Sequence, residues 1–481
     1  MSKESKTVMS NFIWRFLERT GAEGVSLIVS IVLARILSPE TYGIVAIVTV
    51  FTSIMQVFID SGMGNALIQK KNADNIDFST VFYFNITVCL ILYTLMFIAA
   101  PYIAHFYKMP ELTPVVRFLS LTLIISGVKN VQQAYVSRHM MFKKFFFSTL
   151  GGTITAAVIG IYLAYHGFGV WALVTQQLVN AAIDTLILWI TVKWRPDPVF
   201  SFERLRSLFS YGWKLLVSGL LDTFYNNLRQ LIIGKMYSSS DLAYYNQGKK
   251  YTQVMVTTIN SSIDSVLLPA MSKVQDEISR VKSMTRRSIK TSTFLIAPIM
   301  LGIAGSSTQI VSVLLTDKWL PCVPFMIIFC IVYVFYPIHT ANLNAIKAVG
   351  RSDLFLKLEI IKKIVGFALI FISMWFGVMA MAYSMLVSSV LSQIINSWPN
   401  KKLLNYSYIE QLKDIAPSVC IAAVMAVLVW GIGAILNLKP IYELVIQVLF
   451  GVAFYLISSY VIKNDSLEYF YKTLISVLKK N

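Results

Sequence analysis

The chain is poor in the residue types on which most soluble chemistry depends: of 481 residues, 4 are histidine, 4 are cysteine and 14% are charged. His105, His139, His166 and His339 lie far apart and cluster with no acid, so no metal site is expected. Cys89, Cys322, Cys330 and Cys420 are scattered through apolar surroundings without metal-type spacing and read as core fillers. No Walker sequence occurs, because Gly248-Lys249-Lys250 lacks both the preceding glycine spacing and the following Ser or Thr; ATP is not the expected energy source. Asp74 and Asp77 are separated by two residues, so no Asp-x-Asp pair is available for a sugar-nucleotide metal. Gly62-Met63-Gly64 is only a fragment of a glycine motif. The polar start, Met1 to Asn11, has no short apolar core with a small-residue cleavage site, and a cleaved signal peptide is not expected. These absences describe a mover of molecules and not a maker of bonds.

What is present is apolar length. The chain is 56% hydrophobic, its mean hydropathy is +0.65, and few polar stretches could form a soluble domain. A helix needs about 20 residues to cross the hydrocarbon core. Fourteen runs qualify: 11–37, 43–69, 78–106, 113–136, 146–166, 168–192, 210–236, 242–269, 288–315, 319–346, 355–375, 377–398, 415–436 and 441–462. Gly167, Gly169 and Gly377 predict tight turns that divide 146–192 and 355–398 into two helices each.

The 42 basic against 24 acidic residues, a net charge of +18, could point to nucleic acid, but their distribution excludes it. Lys and Arg fall in every second loop, as in Lys70-Lys71, Arg138 to Lys144, Lys193 to Arg206, Lys273 to Arg287, Lys347 to Lys357 and Lys401-Lys402. The alternate loops carry almost none, with Lys108, Lys318 and Lys439 as the main exceptions. This bias places the basic loops, and with them both termini, in the cytoplasm.

The chain also repeats itself. Ala34-Arg35-Ile36-Leu37-Ser38-Pro39-Glu40-Thr41-Tyr42-Gly43 lines up with the segment Gly234 to Tyr244, with one insertion, and Phe168-Gly169-Val170-Trp171-Ala172 with Phe376-Gly377-Val378-Met379-Ala380. A duplicated six-helix unit follows. The expected organisation is an N-lobe over 1–195, an interfacial cytoplasmic linker over 196–209, a C-lobe over 210–400, two appended helices over 401–462 and an amphipathic tail over 463–481, where Leu467, Phe470, Leu474 and Leu478 recur at helical spacing. The fold class is an all-α polytopic membrane protein: two pseudo-symmetric six-helix lobes plus two C-terminal helices.

Ionisable groups inside a membrane helix cost roughly 2.5–3.5 kcal/mol each, so they face a cavity or one another. In the eighth helix Asn246, Lys250, Gln253, Thr257, Asn260 and Asp264 follow at intervals of 4, 3, 4, 3 and 4, one polar face. The seventh carries Asp222, Asn226 and Arg229, the second Gln56 and Asp60, and the first Arg15, Glu18, Arg19 and Glu23. Arg15 with Glu18 and Arg19 with Glu23 can instead pair along the helix. These four helices are symmetry mates and would line one cleft. Arg15, Arg19, Arg229, Lys249 and Lys250 suit a diphosphate, with Asn226, Gln253 and Asn260 beside them. Glu18, Glu23, Asp60, Asp222 and Asp264 are candidates for ion coupling.

Two six-helix lobes, two extra helices and the Ala34 to Gly43 segment resemble the Wzx-type polysaccharide flippases of the multidrug/oligosaccharidyl-lipid/polysaccharide exporter superfamily, in particular the colanic acid and teichuronic acid exporter group. The resemblance covers essentially the whole chain. It implies a MATE-like fold in the bacterial cytoplasmic membrane and export of an undecaprenyl-diphosphate-linked oligosaccharide by alternating access. It also implies coupling to protons or sodium with no bound cofactor, and partnership with the pathway's polymerase and glycosyltransferases. The rival within the fold is a cation-coupled drug exporter, which would need little internal base. A membrane polymerase or ligase is disfavoured because no inferred outer loop exceeds about ten residues.

Overall fold

The computed structural model describes residues 3–60, 63–436 and 438–469. Among these residues the regular structure is entirely helical. Among the described residues each of the fourteen expected runs is mainly helical. Eleven stretches are long and apolar enough to cross a membrane. Outside that set are α1 (Lys3–Ile36), α9 (Phe202–Met236) and α15 (Ser352–Ser373), each of sufficient length but carrying charge along it. The distal part of the expected amphipathic tail, with Phe470, Leu474 and Leu478, lies outside the described residues, as does Gly62.

The chain divides into two compact units, Met1–Ala243 and Tyr244–Asn481. In the first, α9 packs on α2 (Pro39–Asp60), α3 (Met63–Gln69) and α4 (Asn75–Tyr107). The Tyr107 hydroxyl donates to the Leu231 carbonyl at 3.3 Å, and the Lys235 ammonium donates to the Phe106 carbonyl at the end of α4, where the helix dipole favours a cation. By packing, therefore, α9 joins the first unit, although the repeat makes it the opening helix of the second half. It also starts earlier than expected, because Ser201 caps it by accepting from the Arg204 amide. Residues 202–209, read from sequence as connector, form its first turns.

The repeat is more regular in space than in sequence. Helix α1 ends at Ile36 and α2 opens at Pro39; α9 ends at Met236 and α10 (Ser239–Ser272) opens at Ser239. The two breaks have equal length, so the insertion inferred from sequence is not needed. A second correspondence joins α6 (Leu121–Arg138) and α7 (Phe142–Tyr165) to α14 (Tyr336–Ala348) and α15. Met140 and Gly350 both adopt positive φ, 53° and 76°. The following amide closes the same loop in each, Met141 onto Val136 at 3.0 Å and Arg351 onto Ile346 at 3.1 Å. The glycine turns hold as expected, with φ of 79°, 52° and 99° at Gly167, Gly169 and Gly377.

Gly43 is the tightest point of the first unit. A Cβ there would stand 1.9 Å from the Ser239 carbonyl oxygen at the start of α10. Gly43→Ala must push two backbones apart, at a cost of about 1–3 kcal/mol or more; the expected result is a lower unfolding midpoint for the detergent-solubilised protein.

The second unit holds α11 (Ile278–Gly305), α13 (Val323–Val334), α14, α15, α16 (Val378–Leu403), α17 (Tyr408–Ile435) and α18 (Pro440–Val461). The appended helices α17 and α18 pack on α11, and Gly305 permits the approach, since a Cβ would meet the Ala426 carbonyl at 2.6 Å. A buried amide knot ties α14, α16 and α17 together. The Asn342 amide donates to Gln411 at 2.7 Å and Ser397 at 3.1 Å, and the Asn400 amide donates to Asn342 at 2.6 Å. Within the apolar interior these bonds fix helix register, because an unmade one would leave a dry polar group.

Candidate functional site

The residues expected to form the site fall into three groups. On α1, Arg15 donates to Glu18 at 2.5 Å and lies over the Phe142 and Phe145 rings at 5.8 and 5.2 Å. Glu18 is buried and also accepts from Thr149 on α7 at 3.4 Å. This pair therefore belongs to the α1–α7 seam, the along-helix alternative open in the sequence. Arg19 and Glu23 are exposed on the same helix, and neither forms an ion pair among the described residues.

On α9, Asp222 and Asn226 are exposed and Arg229 is half-buried; on α10, Lys249 and Lys250 are half-buried and Gln253 is exposed. Asn260 differs from its neighbours on the stripe. It is buried, and neither of its amide atoms has a partner among the described residues. Such a group is costly to leave dry, so it marks a place where water or a polar ligand belongs.

The third group is the two aspartates near the same depth of the repeat. Asp60 accepts at Oδ1 from Gln56 at 3.0 Å and from Asn130 of α6 at 3.2 Å. Asn130 in turn accepts from Asn85 of α4 at 3.2 Å. In the second unit Asp264 accepts from Asn344 of α14 at 2.5 Å. The helix breaks place 60 opposite 260 and 130 opposite 340, so the second pair repeats the first one turn further along both helices. Each half thus holds a carboxylate of its second helix by an asparagine of its fourth.

Sequence reasoning missed two charged constellations in the first unit. One is an ion pair inside the apolar span: the Lys129 ammonium of α6 donates to Asp184 of α8 (Val170–Thr191) at 3.1 Å. Each is a lone charge in the middle of its helix, and their opposite signs were the available signal. The other lies at the basic-loop end. Asp77, fully buried, accepts from Lys70 at 2.7 Å to both oxygens and from Arg204 at 3.4 Å. Asp74 and Asp77 also form a reciprocal helix cap, with amide contacts of 3.0 and 3.2 Å. That backbone amide holds the Asp74 carboxyl below its usual range. The following connector is pinned to the same helix start, since the Asp197 amide donates to Ser79 at 2.9 Å and the Ser201 amide to Thr80 at 3.2 Å. This is an anchor and not a substrate site, because every charge in it is already satisfied.

Residues 32–324 match the family described as polysaccharide biosynthesis protein, more than half of the chain. The chain belongs to that family. The chain is 25% identical over 389 residues to the teichuronic acid biosynthesis protein TuaB of Bacillus subtilis, covering 79% of this chain and 80% of that one. It is 24% identical over 404 residues to the lipopolysaccharide biosynthesis protein WzxC of Escherichia coli, covering 82% and 80%. With the succinoglycan biosynthesis transport protein ExoT of Rhizobium meliloti it shares 25% identity over 315 residues, covering 66% of this chain and 64% of the relative, a little under two thirds of its length. Among solved structures, the inward closed lipid II flippase MurJ aligns with a TM-score of 0.75 at 15% identity, over 94% of this chain and 99% of that one. An inward-facing MATE-family multidrug resistance transporter aligns at 0.59 and 14%, over 82% and 94%. The fold is that of the MATE-like exporters, and the protein is a multi-pass membrane protein.

Proposed function

We infer that this chain flips an undecaprenyl-diphosphate-linked oligosaccharide across the bacterial cytoplasmic membrane for surface polysaccharide assembly. The observation that carries the reading is the match of residues 32–324 to a polysaccharide biosynthesis family, on a fold shared with a lipid II flippase. The relatives TuaB, WzxC and ExoT, which serve teichuronic acid, lipopolysaccharide and succinoglycan biosynthesis, point the same way. Fourteen crossings with both termini cytoplasmic accord with the basic-loop pattern of the sequence. Arg19 on α1 and Arg229 on α9, and separately Lys249 and Lys250 on α10, are cations of the kind a diphosphate binds. Arg15 contributes less, being held by Glu18. Binding of the diphosphate would neutralise such bases and favour one state of the carrier, since a ligand shifts a two-state balance only by its difference in affinity. A monovalent cation on an intramembrane carboxylate would favour the other.

Depletion of the protein should cause an undecaprenyl-diphosphate oligosaccharide to accumulate while surface polymer is lost. Mass spectrometry of lipid extracts reads the first, and its mass names the sugar unit. Unchanged lipids with altered sensitivity to cationic drugs would instead identify a drug exporter.

A further inference from the structure

One cation of the first unit stands in an apolar span without a counter-charge. Arg117 lies in the second turn of α5 (Leu112–Leu119), inside the apolar stretch Leu112–Arg138. Its place has a local cause in α4. Pro101 lies within that helix and supplies no amide hydrogen, so the carbonyl four residues back, that of Phe97, loses its helical partner. Arg117 donates from Nε to that carbonyl at 3.4 Å, and its guanidinium carbon lies 4.1 Å from the centre of the Phe97 ring. The link uses one of the five guanidinium N–H groups. The terminal nitrogens make no hydrogen bond and no ion pair among the described residues, and Arg117 is half-buried.

The surface beside it is apolar and exposed. Along α4, Leu90, Thr94, Leu95, Ile98 and Tyr102 are exposed and line a shallow groove. Its length is about 18 Å, the depth of one leaflet of a hydrocarbon core roughly 30 Å thick. The Thr94 hydroxyl is turned back onto the Leu90 carbonyl at 2.8 Å, so the wall stays apolar below Tyr102. Phe97, exposed at the edge of the groove, carries Arg117 with it. Next to Arg117, Phe118 is exposed and meets the Trp171 ring edge-on at 5.2 Å, so no polar group beside the guanidinium awaits a sugar. Lys108, a base in one of the otherwise non-basic loops, and Lys235 are exposed at the near end of α4, against the single acid Glu111 of that loop. An unmatched cation against lipid is costly, and a phosphate that offers two oxygens to the planar guanidinium offsets the cost. A free anion would leave the groove unused, and an uncharged lipid would leave the guanidinium unused.

We propose that α4 and α5 form a binding site for one glycerophospholipid, its phosphate held by the terminal nitrogens of Arg117 and an acyl chain laid along the α4 groove. The topology proposed above puts the site in the outer leaflet; binding itself needs neither that topology nor a sugar-bearing substrate. Arg117 has two duties. Its Nε closes the gap that Pro101 opens in α4, which fixes the guanidinium beside the groove. Its terminal nitrogens then present a planar fork to the phosphate. The bound lipid bridges α4 and α5, so phosphate-bearing lipid stabilises the first unit by mass action.

The test uses the purified full-length protein in detergent, with native mass spectrometry to count and titrate adducts and a thermal melt beside it. The probes are dioleoyl phosphatidylglycerol, dioleoylglycerol, which has the same chains without the phosphate, and inorganic phosphate. Phosphatidylglycerol should form a tight first adduct and raise the unfolding midpoint, and the other two probes should do neither. Arg117→Gln should weaken that adduct by at least roughly tenfold, as the loss of charge-assisted hydrogen bonds does, and remove the rise in midpoint. Arg117→Gln also strips the Phe97 carbonyl of its donor, so Pro101→Ala, which returns an amide hydrogen to α4, supplies the second variant. Pro101→Ala alone should bind the lipid as the unmodified protein does, and Pro101→Ala/Arg117→Gln should not. If Arg117 did no more than cap the Phe97 carbonyl, the double variant would bind normally. That result overturns the proposal, as does a first adduct of dioleoylglycerol or inorganic phosphate as tight as that of phosphatidylglycerol, or no phosphatidylglycerol adduct on the unmodified protein. Accumulation of lipid-linked oligosaccharide on depletion would stand in each of those cases, so the flippase reading fails or survives separately.

Discussion

Asp77→Asn should remove most of the folded protein from the membrane. The carboxylate is fully buried and satisfies Lys70, Arg204 and the Asp74 amide together. An amide can accept at one atom only, which strands the half-buried Lys70 ammonium beside a new, misplaced N–H and leaves the Arg204 guanidinium with Asp74 alone, at 3.3 Å. Breaking a buried ion pair from one side costs about 3–5 kcal/mol, against a total stability of roughly 5–15 kcal/mol for a typical domain. The loss also unfastens the connector, because Ser79 and Thr80, the acceptors for Asp197 and Ser201, lie on the same first turns of α4. Fluorescence-detected size exclusion after a temperature series would read the lowered midpoint. Lys70→Met/Asp77→Leu, which removes the closest pair together, should be less damaging than Asp77→Asn. If the single variant were as stable as the unmodified protein, the anchor role assigned to this cluster would be wrong.

The second large effect is on export. Arg19→Gln and Arg229→Gln together should abolish most surface polymer while leaving the protein in the membrane. Arg19 is exposed within α1 and forms no ion pair among the described residues, so its replacement should cost little stability. Hydrogen bonds to a charged partner are worth about 1.5–3 kcal/mol each, so two lost guanidinium contacts would reduce diphosphate affinity by roughly a hundredfold or more. Accumulated lipid-linked oligosaccharide at normal protein levels is the readout. Unchanged export would overturn the role given to these bases. Arg15→Gln, by contrast, should act mainly on stability, since its partners are Glu18 and two phenylalanine rings of α7.

Most of the architecture was written in one dimension. Apolar length and alternating basic loops are local properties, and a helix satisfies its own backbone, so the expected runs could be placed without knowing what each one touches. The glycine turns at Gly167, Gly169 and Gly377 were equally local. The duplication was visible wherever a break in a helix forces similar residues, as at Leu37-Ser38 and Tyr237-Ser238. It was not visible at Met140 and Gly350, where unlike residues take the same backbone turn.

Partners are a different matter, because they are set by which helices pack. Sequence could list Asp60 and Asp264 as intramembrane acids but could not supply Asn130 and Asn344, distant in the chain and unremarkable in type. It counted Arg15 among the ligand-facing bases, whereas α7 brings the rings and the hydroxyl that bind the Arg15–Glu18 pair into a seam. It passed over Lys129 and Asp184 because each is a single charge in an apolar helix, and only the packing of α6 on α8 makes them a pair. Inside a bilayer water does not screen such groups, so the energy of a charge depends on its nearest neighbours. Composition and periodicity settled that this chain is a duplicated helical membrane protein; the contacts between helices decided which of its buried charges hold the fold.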